Sequence, residues 1–248
     1  MIERDELMTY LTGLLQPHNF EDYGPNGLQV EGRESVERMV VSPSASLALF
    51  ERAVEVGADT ILVHHGLFWK NDPREVVGPL RQKLTLLLEH RINLIGYHLP
   101  LDFHPEYGNN RPVLQALGLQ NIEPLAEVGY CGEFTENQPV EQYFKLLDNY
   151  YESGGLHLTA SPDQSVRRVA LVSGGGASYL RQAIGMGVDA FITGEGSEWV
   201  YSLARENGVA FSAMGHYITE MVGPRLLAEH LCTHFDLSYE FFTEPNPF

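Results

Sequence analysis

Basic residues and cysteine are both scarce in this chain of 248 residues. Sixteen Lys and Arg face 33 Asp and Glu, a formal charge of −17. The deficit is shared: residues 1–124 hold 10 bases against 17 acids (−7), and residues 125–248 hold 6 against 16 (−10). A surface this acidic repels a phosphate backbone, and no run of Lys and Arg reverses the field locally, so the composition weighs against nucleic-acid binding. Two cysteines, Cys131 and Cys232, without CxxC spacing, exclude a disulfide framework and a thiol redox or cysteine-zinc motif. No stretch approaches the roughly 18 uninterrupted apolar residues of a membrane-spanning helix. The opening "MIERDELMTYLTGLL" carries acids and a helical apolar pattern, Leu7, Tyr10, Leu11, Leu14 and Leu15, rather than a basic then apolar export signal. A cytoplasmic protein without membrane contact is therefore expected. What is plentiful is core material: 44% hydrophobic and 10% aromatic residues can fill one large α/β domain or two modest ones.

Short β-branched runs alternate with amphipathic stretches, the pattern of an α/β protein with largely parallel strands. "RMVVSPSAS", "DTILVHHG" and "INLIGYH" read as strands; "LALFERAVEVG" and "PLRQKLTLLLEHR" read as the helices between them. The rhythm changes after residue 125 and returns in "ASYLRQAIGMGVDAFITGEGSEW". This return is also a sequence match. Residues 53–69 lie over residues 183–199 at an offset of 130, with Ala53/Ala183, Gly57/Gly187, Asp59/Asp189, Gly66/Gly196 and Trp69/Trp199 identical. At offset 118 "GYHLPLD" meets "GHYITE", so His98 falls on His216 and Asp102 on Glu220. The pattern predicts two pseudo-repeated α/β halves, 1–124 and 125–248, free to exchange elements, with corresponding loops brought together at the carboxyl ends of the strands, where open α/β sheets place their sites. Shared turn residues alone would produce part of this match.

The candidate chemistry lies on those loops. His64 and His65 end an apolar strand, and because neighbouring strand residues face opposite sides, they suit two adjacent ions better than one. Neutral imidazole ligates transition metals, and a carboxylate can bridge a metal pair. Pro100 predicts an extended Leu99 and a loop that aims Asp102 inward. His216 and Glu220, four apart, share a face if a helix begins there, although Pro224 argues for a helix start nearer Gly223. Gly174 to Gly176 present either backbone N–H groups to a phosphate or a plain tight turn. Asn109, Asn110 and Arg111 follow Asp102; Arg111 is either an anion contact or a surface residue. His18, His90, His104, His157, His230 and His234 read as surface or packing residues, and Trp69 and Trp199 as anchors near the site loops.

The set "YGPNGLQVEG" at 23–32, "VHHGLFW" at 63–69, "HLPLD" at 98–102, the glycine run at 174–176, "GVDAFITGE" at 187–195 and the pair His216 and Glu220 after Gly215 resembles the GTP cyclohydrolase 1 type 2 family, the NIF-three-like dinuclear metal proteins, over essentially the whole chain in its short form. The resemblance implies two interlinked α/β domains with the metal site at strand ends between them, a ring-shaped homohexamer, and two metals per chain. By the same resemblance His65 and Asp102 hold one metal, His64 and His216 the other, and Glu220 bridges; His98 is a hydrogen-bonding partner or occasional ligand. Glu195, the repeat counterpart of His65, is a candidate general base or proton shuttle, or else a solvated loop carboxylate. Mixed His and carboxylate donors suit zinc, iron, manganese or cobalt, and metal-assisted hydrolysis of a nucleotide or related small molecule is the expected reaction. A metal-bearing scaffold or regulatory protein, and a role in nucleic-acid maintenance, are the competing expectations.

Overall fold

The computed structural model describes residues 1–248. The chain forms two compact units, each assembled from separate stretches: Met1–Leu101 with Gly223–Pro245, and Asp102–Val222 with Asn246–Phe248. These units do not coincide with the halves 1–124 and 125–248. The chain leaves the first unit after Leu101 and returns at Gly223, because the late strand Ser238–Phe241 adds to the first unit's sheet.

That sheet runs Ser238–Phe241, Arg38–Ser44, Thr60–His65, Asn93–Gly96, Gly27–Val30. Its first four strands are parallel and the last is antiparallel. Thr60–His65 is central and buried through His64, which explains its unalternating "TILV". Helix Leu47–Glu55 starts where Ser46 Oγ accepts from Leu49 N (3.1 Å), turns Leu49, Phe50 and Ala53 into the core, and is followed by Gly57 at φ +67°. Leu87 of helix Gly78–His90 joins the same core.

The second unit's sheet runs Gln120–Leu125, Gly129–Pro139, Ser165–Val172, Ala190–Thr193, Ala210–Ala213, Leu156–Leu158. Three adjacent strands, Ser165–Val172, Ala190–Thr193 and Ala210–Ala213, pair in parallel; Gly129–Pro139 and Leu156–Leu158 flank them antiparallel, and Gln120–Leu125 pairs antiparallel with Gly129–Pro139 at the edge. Helix Val140–Tyr151 buries Val140, Tyr143, Leu147 and Tyr151, one stripe at helical spacing. Both sheets are thus mixed, with parallel cores.

Within each unit the same local frame recurs at offset 130. Met39 pairs with Thr60, and Val169 with Ala190. The Asp59 carboxylate accepts from the backbone N–H of Glu37 (2.8 Å) and Arg38 (2.9 Å); that of Asp189 accepts from Arg167 (2.9 Å) and Arg168 (2.8 Å). The following strand pairs Thr60 with Asn93 and Ala190 with Ala210, an offset of 117 rather than 118. One extra residue therefore enters before His216, at Gly215, whose φ of +102° suits glycine.

No helix of the protein is long and apolar enough to cross a membrane.

Candidate metal-ligand clusters

His64 and His65 end one parallel strand, and Asp102, Glu195, His216 and Glu220 follow the carboxyl ends of others. In the first unit His64 is 1% exposed, and its Nδ1 lies 2.9 Å from Tyr97 O. A carbonyl only accepts, so Nδ1 carries the proton and Nε2 the lone pair. The His64 and His65 rings lie 4.6 Å apart at 37°, so the strict alternation expected of a strand is lost at its last residue, just before Gly66. His98 completes the group, its ring 5.0 Å from that of His64 and 5.4 Å from that of His65. The three histidines each offer a ligand nitrogen, and those nitrogens lie within 4.8 Å of one another.

His98 is held by Asp22, whose Oδ1 lies 2.6 Å from Nδ1 and whose side chain is 3% exposed. The same carboxylate accepts from Tyr23 N (2.6 Å), Leu99 N (3.0 Å) and Asn26 Nδ2 (2.9 Å). Burial pushes its carboxyl pKa up, but these bonds, that from His98 foremost, outweigh burial and hold it at about 2. Asn26 Oδ1 accepts from His98 N (2.8 Å), and Gln29 Oε1 accepts from Leu67 N (2.9 Å). Gly66 and Gly96 are glycine because a Cβ on either would strike the Gln29 amide. Trp69 stands edge-on to His98 at 5.1 Å.

In the second unit Asp102 is 6% exposed and lies on a short helix, Leu99–Phe103, instead of a loop. Pro100 falls in that helix's first turn, where its missing N–H costs nothing, and this placement overrides the extended preference of Leu99. Asp102 Oδ1 accepts from Asn109 Nδ2 (2.8 Å) and Ser173 Oγ (3.1 Å). Asn110 ties Asp102 O (3.1 Å) to Ser173 N (2.8 Å). Asn109 and Asn110 are thus fully buried supports, while Arg111 is a half-buried residue opening the helix Arg111–Ala116.

His216 and Glu220 come from one turn, helix His216–Thr219; a separate helix, Val222–Phe235, then accommodates Pro224 in its first turn. His216 Nε2 lies 3.1 Å from Glu220 Oε2, and Nδ1 lies 2.5 Å from Glu195 Oε1. Burial lowers the His216 pKa, but Glu220 and then Glu195 more than offset it and raise it to about 9. Asp102 and Glu220 offer carboxylate oxygens within 4.8 Å of each other. Gly174, at φ +59°, passes so close that a Cβ there would collide with Glu220 Oε1 and stand 3.0 Å from His216 Nε2. Its N–H donates to Thr219 Oγ1 (3.0 Å). Gly174 is therefore a close-approach position beside Glu220 and His216, and its own amide is not free for a phosphate.

Sequence reasoning missed Asp22, which directly precedes the "YGPNGLQVEG" stretch; its Asp-to-Asn spacing of four was the available signal. It also grouped His157 with packing residues. His157 Nδ1 lies 2.9 Å from Ser212 Oγ and Nε2 lies 2.9 Å from Asp148 Oδ1, but Ser212 is 0% exposed, so this Ser-His-Asp array is a brace and not a nucleophile site. Trp199 lies under the Arg181 guanidinium, 5.7 Å from its ring centroid. The Cys131 and Cys232 thiols are free, and burial pushes each up to about 11.

The model of the Duf34/NIF3 family (NGG1p interacting factor 3) matches residues 2–247. The chain belongs to the Duf34/NIF3 family. A GTP cyclohydrolase 1 type 2 homolog of Yersinia pestis is 46% identical over 98% of both chains. One of Escherichia coli (strain K12) is 42% identical over 99% of this chain and 100% of its own. The crystal structure of TTHA1606 from Thermus thermophilus superposes with a TM-score of 0.91 at 35% identity, covering 100% of both chains. The Duf34/NIF3 chain described here contains buried imidazole and carboxylate groups that can hold a metal ion. The donor chemistry fits: Nδ1 of His64, His98 and His216 is each engaged by an oxygen, the arrangement that orients Nε2 of a ligating histidine.

Proposed function

We propose that the protein binds two divalent ions per chain through His64, His65, Asp102, His216 and Glu220 and catalyses metal-assisted hydrolysis of a nucleotide or related small molecule. The observation that carries this reading is the oriented, buried donor set: His64, Asp102 and Glu220 are each less than a tenth exposed, and each of His64, Asp102 and His216 is aimed by a hydrogen bond to a neighbouring polar group. Polar and ionisable groups are withdrawn from water at such density only when something compensates them. Zinc, iron, manganese or cobalt suits these donors, and such a pair supplies Lewis acidity and an activated water near neutral pH.

The residues divide the remaining work. Asn109 and Ser173 hold the Asp102 carboxylate in place. Glu195 fixes the His216 tautomer and, with a side chain 52% exposed, passes a proton between the site and solvent. In the metal-free protein the His216 proton must leave before Nε2 can ligate, so metal uptake releases it. The nucleotide class of substrate is supported by the names of the relatives, and assembly into a homohexameric ring in the cytoplasm belongs to the same reading.

Metal content per chain, measured by plasma mass spectrometry on tag-free protein, tests it. About two metals per chain, falling in His64→Ala and Glu220→Ala, is expected, together with chelator-sensitive turnover in a screen beginning with GTP, other nucleotides and phosphodiesters. No metal after reconstitution with zinc, iron or manganese would overturn the metal reading. Two metals without turnover on any substrate would leave a metal-bearing scaffold in its place.

A further inference from the structure

Resting on the metal reading above, we infer that the tail Asn246–Phe248 is a positioning strap for the turn that carries His216 and Glu220, and that it does for the second unit part of the work that Asp22 does for the first.

The turn His216–Thr219 opens after Gly215, which has no side chain to accept from the main-chain amides that follow it. The Tyr217 amide is one of those donors, and it belongs to a buried residue. It donates to Phe248 O (2.9 Å). Gly223–Pro245 belong to the first unit, yet Asn246–Phe248 belong to the second, the unit that holds this turn. The tail is shaped for the contact. Asn246 Oδ1 accepts from Phe248 N (3.0 Å), which closes a small turn around Pro247. Pro247 fixes its own φ and favours an extended Asn246. Phe248 is 75% exposed, so main-chain bonds hold the tail and burial of its ring does not.

The sequence repeat shows what this bond is for. At the offset of 118 that lays His98 on His216, Leu99 falls on Tyr217. The Leu99 amide donates to Asp22 Oδ2 (3.0 Å), and the same carboxylate receives His98 Nδ1. In the second unit the two tasks are divided: Glu195 takes the His216 ring, and Phe248 O takes the Tyr217 amide. An incidental tail contact has no reason to fall on the one amide whose counterpart is satisfied by a buried carboxylate. His216 and Glu220, four residues apart, face one centre only while that turn is closed. An amide released in its first residues lets it open.

The test compares the metal-free wild type with Asn246→Ala, Asn246→Asp, Phe248→Ala and a chain ending at Pro245. Hydrogen exchange read by mass spectrometry follows the amides of residues 215–220. Cobalt(II) titration, with visible absorption and a competing chelator, follows the metal donors, and urea unfolding follows global stability. In Asn246→Ala and the shortened chain the Tyr217 amide is expected to exchange about 10-fold faster, and one cobalt ion to bind about 10-fold more weakly, with altered d–d bands and an unchanged urea midpoint. Asn246→Asp keeps the acceptor oxygen and Phe248→Ala keeps the main-chain carbonyl, so both are expected to match wild type. Wild-type exchange in the shortened chain would overturn the strap. Faster exchange with wild-type cobalt affinity and bands would overturn its positioning role and leave the five-ligand reading standing. A wild type that binds no cobalt would overturn the metal reading, and the positioning role with it.

Discussion

The two units differ most where their frames agree best. At the offset of 130 that lays Asp59 on Asp189, His65 falls on Glu195, and the paired histidines His98 and His216 each give Nδ1 to a carboxylate, Asp22 in one unit and Glu195 in the other. The frame is kept by backbone chemistry: an aspartate closing two amides, a glycine at φ +67° or +73°, and strands in matching register. The strand-end side chains are free of that duty and differ. The first unit offers imidazoles, and the second offers carboxylates with a single imidazole. A strand end can change its chemistry by one residue without disturbing the register beneath it, because that register rests on main-chain bonds.

Three measurements sharpen or break this comparison. Ile61 and Phe191 occupy matching central-strand positions and are both 0% exposed. Phe191→Ala is expected to lower stability by about 4 kcal/mol and Ile61→Ala by about 3 kcal/mol in urea unfolding, from lost transfer energy plus the cavity left behind. A cost below about 1 kcal/mol at either site would show that the two strands do not occupy comparable cores.

The aspartates come next. Asp59 is 5% exposed and also accepts from Thr60 Oγ1 (2.9 Å), whereas Asp189 is half-exposed. Alanine at Asp59 strands two amides away from water and is expected to cost about 3 kcal/mol, against about 1.5 kcal/mol at Asp189, where water can replace part of the loss. Equal costs would mean that burial does not separate them.

The smallest effect belongs to the brace found only in the second unit. Asp148 is held below the usual carboxylate range; burial opposes this, but Gly155 N–H and His157 outweigh it. A depressed folded pKa stabilises above the unfolded value and is lost as pH falls through the folded one. With a side chain 38% exposed, solvent screens the bond. Asp148→Asn should therefore cost about 0.5 kcal/mol at pH 7, measured by chemical denaturation, and the gap to wild type should close as pH falls through the lowered folded-state pKa of Asp148. A gap that persists at low pH would show that His157 is held by shape alone.

Much of this was legible in the chain. Apolar runs ending in "HH", the Gly57/Gly187 stops and the Asp59/Asp189 matches marked the parallel strands and their repeat because local backbone preference and core burial act in the same direction there. Asp102 on a helix was not legible, since the rule for a residue before proline competes with proline's tolerance in a first helical turn, and only the surrounding chain decides. His157 and Ser212 meet through antiparallel register, which no local pattern reports. Asp22 lies 76 residues from His98 and becomes its partner only when strand Gly27–Val30 pairs with Asn93–Gly96.

By itself, the sequence determined the residue types available for metal chemistry, their place at strand ends and the two α/β sheets, because those follow from side-chain donors and from short-range periodicity. Tertiary structure alone decided where the compact units divide, which nitrogen of His64 and His98 carries the proton, and why a bare glycine must stand beside His216 and Glu220. Each of those depends on an atom brought close from a distant part of the chain, and proximity of that kind exists only once the sheets have formed.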